Sequence, residues 1–424
     1  MTYHNAVKYL LQAPDEAPEA KVGARLRRLW SLLGNPQQHL NYLRLAGSSG
    51  KTVCSEMLLS AFEQSDVLVG CLMMPLGTEP RENIRIRKSP LPFDEMAGYV
   101  GQIYAAVKAE NKAVCAIENE QEEAVPLLPT RHEILLTAAL LAFQAHHCQL
   151  CIIETSNLAS DPTKMLPAPF AAAVCGTIPK QNVKDMRQIQ SYICHGIQEV
   201  VSAPQDQEAY HMLSRACASI NCRLTIPTKN ELQVLKATLG GSEFLYRGKP
   251  YRLSLCGQFQ ITNAMVALEI LTMLARHGYA LSDAQMQRGF RAVKLPCKFE
   301  ILSVTPTIIA DSTHSVDAIE TVYDSLTELR ALIGAKLWLC LPDETLASHY
   351  VRIAKEQGYE IGKMILQSNA TEPTTFDSVV YTSSLKDTLH VALTDLPADT
   401  ILLISGTQDF TAKVRYEILK KLGF

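Results

Sequence analysis

The chain carries no excess of charge of either sign: 40 Lys and Arg stand against 43 Asp and Glu in 424 residues, a formal net charge of -3. This balance gives no electrostatic ground for a nucleic-acid or anionic-membrane partner. No apolar run reaches the roughly 20 residues of a membrane span. The first residues, Met1-Thr-Tyr-His-Asn-Ala-Val-Lys-Tyr-Leu-Leu-Gln12, lack the basic stretch and long apolar core of a secretory signal. A soluble, cytoplasmic protein is expected. Internal repeats, heptads and low-complexity linkers are also missing, which leaves a globular chain long enough for two or three packed domains.

Cysteine is present but unpatterned. Twelve are scattered, mostly in apolar segments, such as Cys71, Cys115, Cys175, Cys256 and Cys340, as small buried hydrophobes in a reducing compartment are. His146-His147-Cys148-Gln149-Leu150-Cys151 has the Cys spacing of a zinc knuckle, yet no second Cys or His pair follows at a zinc-site distance. It runs into Ile152-Ile153-Glu154, which reads as a buried strand. Packing is the reading taken, with a metal site as its alternative.

What is there centres on residues 41–58. Tyr42 to Ala46 reads as a strand, Gly47-Ser48-Ser49-Gly50 as a tight loop, and Lys51 onward as a helix turning Val53, Met57 and Leu58 inward. This is the pattern of a phosphate cradle. Small residues let backbone N–H groups close on phosphate oxygens and the helix N-terminus adds partial positive charge. Lys51 can reach the β and γ phosphates, and the Thr52 hydroxyl suits magnesium. The loop is two residues shorter than the general Gly-x-x-x-x-Gly-Lys-Ser/Thr pattern, and the alternative is a Ser/Gly turn ahead of a helix.

Leu33-Gly-Asn-Pro-Gln-Gln-His39 leading to Leu45-Ala-Gly-Ser-Ser-Gly-Lys-Thr52 resembles the entry to the folylpolyglutamate synthase and dihydrofolate synthase family of the Mur ligase superfamily, where LGNPQ leads into HVAGTNGKGS/T. The resemblance implies an α/β fold. Residues 1–296 would form a P-loop-type ATPase domain with a mostly parallel sheet and a small antiparallel one, and residues 297–424 a smaller Rossmann-like domain. Met73 to Ile86 aligns without a gap to the family's TSPHL…ERIRI, keeping Pro75, Glu82, Ile84, Arg85 and Ile86. Met74 stands where the family has a magnesium-ligating Ser, and Leu76 where it has a His. A thioether is a poor ligand for a cation that takes hard oxygens.

Glu154 ends the strand from Leu150, and the resemblance implies that it ligates magnesium; a carboxylate at that end of a parallel strand faces the ligand crevice. An Asp161-Pro-Thr163 echo of the family's next motif follows. After the strand Ala171 to Ile178, the loop Pro179 to Asp185 is about three residues shorter than the family's and lacks its His, and Cys194 takes the place of a Lys that many members carbamylate. Asn263, on a helix resembling G.HQ..NA..A, is the implied adenine contact, and an amide can both donate to and accept from adenine. Leu295-Pro-Cys-Lys298-Phe-Glu300 resembles PGRFE, with Lys298 keeping the charge of the phosphate-binding Arg without its planar fork. Asp311, opening a stretch that resembles LDGAHNP, is placed for ribose hydroxyls, and His314 is a candidate on the acceptor side. From Ile319 strands and helices alternate, as in a small parallel sheet covered by helices.

The resemblance thus implies an ATP- and magnesium-dependent ligase that adds glutamate to a folate-like carboxylate through an acyl phosphate, as a monomer. The ATP site would draw on Gly47, Ser48, Ser49, Gly50, Lys51, Thr52, Asn263, Lys298 and Asp311. Thr52 and Glu154 would hold the metal, and Lys51, Glu154 and His314 would carry the catalysis. The alternatives are a nucleotide-binding relative without turnover, and a ligase with another carboxylate acceptor.

Overall fold

The computed structural model describes residues 1–15, 19–47, 49–74, 79–117, 126–156, 161–178, 183–312, 316–367 and 378–422. They form two compact units, Met1–Lys229 with Asn263–Gly289, and Asn230–Thr262 with Phe290–Phe424.

The first unit is built on an eight-stranded sheet: β1 (Tyr42–Ala46), β2 (Val69–Leu72), β3 (Ile84–Ile86), β4 (Ser89–Pro90), β5 (Leu150–Glu154), β6 (Ala171–Val174), β7 (Glu199–Ser202) and β8 (Arg223–Thr225), in the order β4-β3-β2-β5-β1-β6-β7-β8. From β2 to β8 neighbouring strands are parallel, and β3 and β4 add an antiparallel edge. The centre is the most buried part: every residue of β1, β2, β5 and β6 is inside. Continuous apolar strands such as Val69-Gly-Cys-Leu72 are what a sheet covered on both faces demands. One face carries Tyr42, Leu72, Cys151 and Ile153, which pack into a core with Trp30, Phe143 and Leu140 from the helices Glu19–Leu32 and Arg131–Ala145.

The second of those helices starts where the sequence dictates. Thr130 accepts from the Glu133 N–H, and the Glu133 carboxylate reaches back to the Thr130 N–H at 2.8 Å, a reciprocal cap. Glu133 also takes both prongs of Arg25 at 2.7 Å, so one buried carboxylate fixes a helix start and ties down a second helix. Cys148 and Cys151 are buried thiols in this unit, and His146 pairs with Glu95 at 2.6 Å.

The second unit holds a three-stranded antiparallel sheet, β9 (Leu232–Thr238), β10 (Gly241–Tyr246) and β11 (Lys249–Leu253), and a six-stranded sheet. The latter comprises β12 (Glu300–Val304), β13 (Thr307–Asp311), β14 (Lys336–Leu341), β15 (Glu360–Leu366), β16 (Val379–Tyr381) and β17 (Thr400–Ser405), in the order β12-β13-β17-β14-β15-β16. The alternation of strands and helices from Ile319 gives the parallel portion. The sheet is not wholly parallel, however, because β12 runs antiparallel to β13 through a tight reversal at residues 305–306 that no helix could bridge. The strands β10 and β11 form a hairpin, and β9 adds a third, largely exposed strand to it. Among the described residues, no helix is long and apolar enough to cross a membrane.

Candidate functional site

Strand alternation decides where the chemistry points. Ile153 belongs to the core on one face of the sheet, so Glu154, the next residue, projects to the other, where the helix Lys51–Phe62 lies against β2 and β5. The register pairs Leu45 with Glu154, so the carboxylate is level with the last turn of β1 before the Gly47 loop.

The loop itself is held in shapes that only glycine adopts readily. Gly47 has φ 134° and Gly50 φ 76°. A Cβ on Gly47 would come within 2.1 Å of the Cys175 carbonyl oxygen, and one on Gly50 within 2.9 Å of Asn263 Oδ1. The turn is therefore pressed against the end of β6 on one side and the Asn263 amide on the other. Ser49 lies over Gly176, where an added Cβ would meet its hydroxyl at 2.3 Å. The helix that follows opens at Gly50 with no side-chain cap, and a helix N-terminus favours an anion through its dipole and backbone N–H groups. Lys51 is buried and its Nζ donates to the Gly47 carbonyl, so the ammonium sits in the mouth of the loop. Gly47→Ala is expected to cost about 1–3 kcal/mol of folding stability through forced strain and to abolish ATP-induced stabilisation, both readable in thermal melts with and without nucleotide.

Thr52 Oγ1 donates to Glu154 Oε2 at 3.2 Å, and the Met74 backbone N–H donates to the same oxygen at 3.0 Å. Glu154 is 0% exposed, and its other oxygen, Oε1, is buried with no hydrogen-bond partner among the described residues. Burial pushes the carboxyl up from the ordinary glutamate range, against the pull of Ser55, the Met74 amide, Lys51 and Thr52. The Ser55 hydroxyl contributes by proximity, since it is itself buried and stops short of hydrogen-bond geometry. A buried carboxylate with one unsatisfied oxygen, a threonine hydroxyl beside it and an open helix N-terminus next to it fit a hard divalent cation shared with phosphate oxygens. The Met74 side chain turns into the core, so at this position only its amide reaches the site.

The opposite face of β1 holds a polar cluster that the sequence did not announce. Arg44, 3% exposed, donates from Nη2 to the Thr163 carbonyl at 3.0 Å and from Nη1 to the Tyr192 carbonyl at 3.2 Å and Cys194 Sγ at 3.8 Å. The Tyr192 hydroxyl donates to Asp161 Oδ2, and the Ser156 and Thr163 N–H groups donate to the same carboxylate at 3.0 and 2.9 Å. Ser156, Asp161 and Thr163 are thereby tied to β1 through Arg44. Cys194 is thus a hydrogen-bond partner of a guanidinium, and a thiol has no amine to carbamylate. Burial raises the Asp161 carboxyl, and the Tyr192 hydrogen bond pulls it back down. A raised carboxyl gives stability that is complete below its unfolded value and lost as pH rises through the folded one. Tyr192→Phe removes a bond to the ionised form, so its folding deficit, about 1–3 kcal/mol when Asp161 is charged, is expected to be smaller at acid pH and to widen as pH rises and Asp161 ionises, read in urea titrations.

In the second unit, Asp311 ends β13. Its Oδ2 accepts from the Phe299 N–H at 2.7 Å, and its carbonyl accepts from Ser405 Oγ at 3.1 Å. Ser312 N–H donates to the Cys297 carbonyl at 2.7 Å, so the segment carrying half-buried Lys298 runs beside Asp311. The bidentate pair Arg415–Glu300, at 2.5 and 2.7 Å, staples that segment to the helix Gln408–Leu422.

The structure therefore gathers Gly47, Ser49, Gly50, Lys51, Thr52, Glu154 and Asn263 in the first unit, and Lys298 and Asp311 in the second. Ser48, Pro75, Leu76, Lys180 and His314 lie outside the described residues. Sequence reasoning missed Arg44, Tyr192 and Asn83; the last donates to the Met73 carbonyl at 2.8 Å and braces the strand end before Met74.

No family model matches the chain. It is 21% identical over 439 residues to a folylpolyglutamate synthase of Lacticaseibacillus casei, covering 99% of each chain. It is also 21% identical over 321 residues to a dihydrofolate synthase/folylpolyglutamate synthase of Bacillus subtilis, covering 72% of this chain and 71% of that one. The apo form of the L. casei enzyme superposes with a TM-score of 0.79 at 19% identity, covering 99% of this chain and all of that one. A folylpolyglutamate synthase complex with AMPPCP and folate superposes with a TM-score of 0.77 at 20% identity, covering 99% of this chain and all of that one. The two-unit fold is the one these structures share.

Proposed function

From its place in the folylpolyglutamate synthase and dihydrofolate synthase family, we propose that this chain is an ATP-dependent ligase that joins glutamate to a folate-like carboxylate. The observation that carries the reading is the Lys51–Thr52–Glu154 constellation at the ends of β1 and β5. Lys51 would stabilise negative charge on the γ-phosphoryl group as it moves to the acceptor carboxylate, while the Gly47–Gly50 loop and the helix N-terminus hold the β-phosphate in line. The acyl phosphate then takes attack by the glutamate amine, and phosphate leaves. Thr52 and Glu154 would hold magnesium, which when bound neutralises charge shared by the β and γ oxygens. Glu154 is therefore required as the ionised form, and Lys51, the Thr52 hydroxyl and the Met74 amide beside it favour that form.

Asn263 is proposed to contact adenine, Asp311 the ribose hydroxyls, Lys298 the phosphates, and His314 the acceptor. The functional division is placed at 1–296 for ATP chemistry and 297–424 for the smaller domain, with a monomeric, cytoplasmic enzyme. The similarity to a relative solved with AMPPCP and folate supports this choice of substrates. A nucleotide-binding protein without turnover is the competing reading, favoured by the core position of Met74 and by Cys194.

The test supplies ATP, magnesium, glutamate and a panel of reduced folates, and follows ADP, phosphate and acceptor mass. An acceptor heavier by one glutamyl residue, with matching ADP release that requires both acceptor and glutamate, supports the ligase. ATP binding with no acceptor-dependent ADP across the panel supports the competing reading.

A further inference from the structure

Among the described cysteines, two are not fully buried, Cys194 and Cys222. Their surroundings differ. Cys194 has the Arg44 guanidinium as its neighbour, whereas Cys222 has another thiol.

The neighbour is set by how a helix ends. The helix Gln207–Ser219 is closed by three backbone bonds: Cys222 N–H to the Cys217 carbonyl at 2.9 Å, Asn221 N–H to Ala218 at 3.2 Å, and Ile220 N–H to Cys217 at 3.2 Å. Asn221 takes the left-handed conformation at φ 55°. This six-to-one closure brings the side chain three positions before the cap against the one two positions after it, a place apolar residues usually fill. Here both residues are cysteine. The closure therefore sets the two side chains side by side, and the Cys222 thiol is near enough to help hold the Cys217 thiol up. Cys222 is half-buried and its Sγ–H also reaches the Arg223 carbonyl at 3.6 Å, while Cys217 is 1% exposed behind it.

We infer that Cys217 and Cys222 form a dithiol modification site, which a low-molecular-weight disulfide converts to an intramolecular disulfide. The Cys222 thiolate attacks one sulfur of the reagent RSSR, forming a Cys222–SR bond and releasing RS⁻. The Cys217 thiolate then attacks Cys222 Sγ, forming the protein S–S bond and releasing the second RS⁻. Overall two protein thiols are oxidised, one RSSR is reduced, and both protons leave on two RSH. Both steps are slow near neutrality, because burial raises both thiols and pushes Cys217 up to about 12. Closure is nevertheless favoured once Cys222 is capped, since the attacking sulfur is held beside its target.

The experiment treats the reduced, full-length protein with excess glutathione disulfide at pH 8, quenches with acid, and reads intact mass and peptide map. Expected is the loss of two hydrogens with a Cys217–Cys222 cross-linked peptide and no glutathione retained on either residue. Cys217→Ser is expected to stall with glutathione on Cys222, and Cys222→Ser to lose both the cross-link and any adduct at Cys217. Cys217→Ala, which keeps a small apolar group in the buried spot, replaces the serine variant if that does not fold. A wild-type protein that keeps glutathione on Cys222, leaves Cys222 unmodified, or joins Cys222 to another cysteine overturns the inference. None of these readings depends on ligase activity.

Discussion

Lys51→Ala is expected to leave a folded protein whose ATP turnover is down by about a thousandfold or more, since a positioned cation on a transferring phosphoryl group is worth several orders of magnitude. The side chain is buried and its ammonium donates to the Gly47 carbonyl at the front of the loop. Loss of that one hydrogen bond costs folding about 1 kcal/mol. Nucleotide binding suffers more. ATP at 100 times its dissociation constant stabilises a native state by about 2.7 kcal/mol, and most of that shift should vanish in the variant. The check is a pair of melts with and without magnesium-ATP, read beside turnover. An undiminished ATP shift in Lys51→Ala would put the nucleotide elsewhere in the molecule.

Glu154→Gln should separate activity from stability in opposite directions. The amide keeps the shape of the side chain and an oxygen for the Thr52 and Met74 donors, but it cannot carry the charge a divalent cation requires. Turnover is expected to fall by roughly a hundredfold or more, because a lost metal-ligating charge weakens the transition state more than ground-state contacts. Folding should respond the other way. The Glu154 carboxyl is raised by burial, so its contribution to stability is complete below the unfolded value near 4.5 and disappears as pH climbs through the folded one. Above that range, in a chelator, the wild type bears a buried charge that the variant does not. Glu154→Gln is thus expected to be as stable as wild type or more so at pH 8 without magnesium, and to gain less when magnesium is added. Urea unfolding of both proteins in chelator and in magnesium measures this, and full activity in Glu154→Gln would assign the metal to other residues.

The site was legible where chemistry depends on neighbours in sequence. Gly47 to Thr52 declared a phosphate loop because turn, cation and hydroxyl must follow one another along the chain, and Leu150 to Glu154 declared a strand because an apolar run ended on a carboxylate. The buried clamp was not legible. Arg44 looks in sequence like one polar interruption of a strand, and its partners Thr163, Tyr192 and Cys194 lie 119 to 150 residues away. The polarity of β12 was hidden for a similar reason: Glu300-Ile-Leu-Ser-Val304 reads as a strand, but its direction is set by the short return at Thr305-Pro306. Burial of the Met74 side chain likewise depends on helices far along the chain, and only its unsuitability as a ligand could be read from its side chain.

The pairing of Leu45 with Glu154 also governs which length changes this protein can accept. Loops at the ends of these strands can grow or shrink without altering which way Glu154 looks. Within β5 no residue can be added or removed before Glu154. One inserted residue before Glu154 would swing the carboxylate into the apolar layer of Trp30 and Phe143 and send Ile153 toward the phosphate loop. Two would restore its side but move it roughly 6.6 Å along the strand, beyond reach of Thr52. The loops around the site can change length freely, but the five residues of this strand cannot.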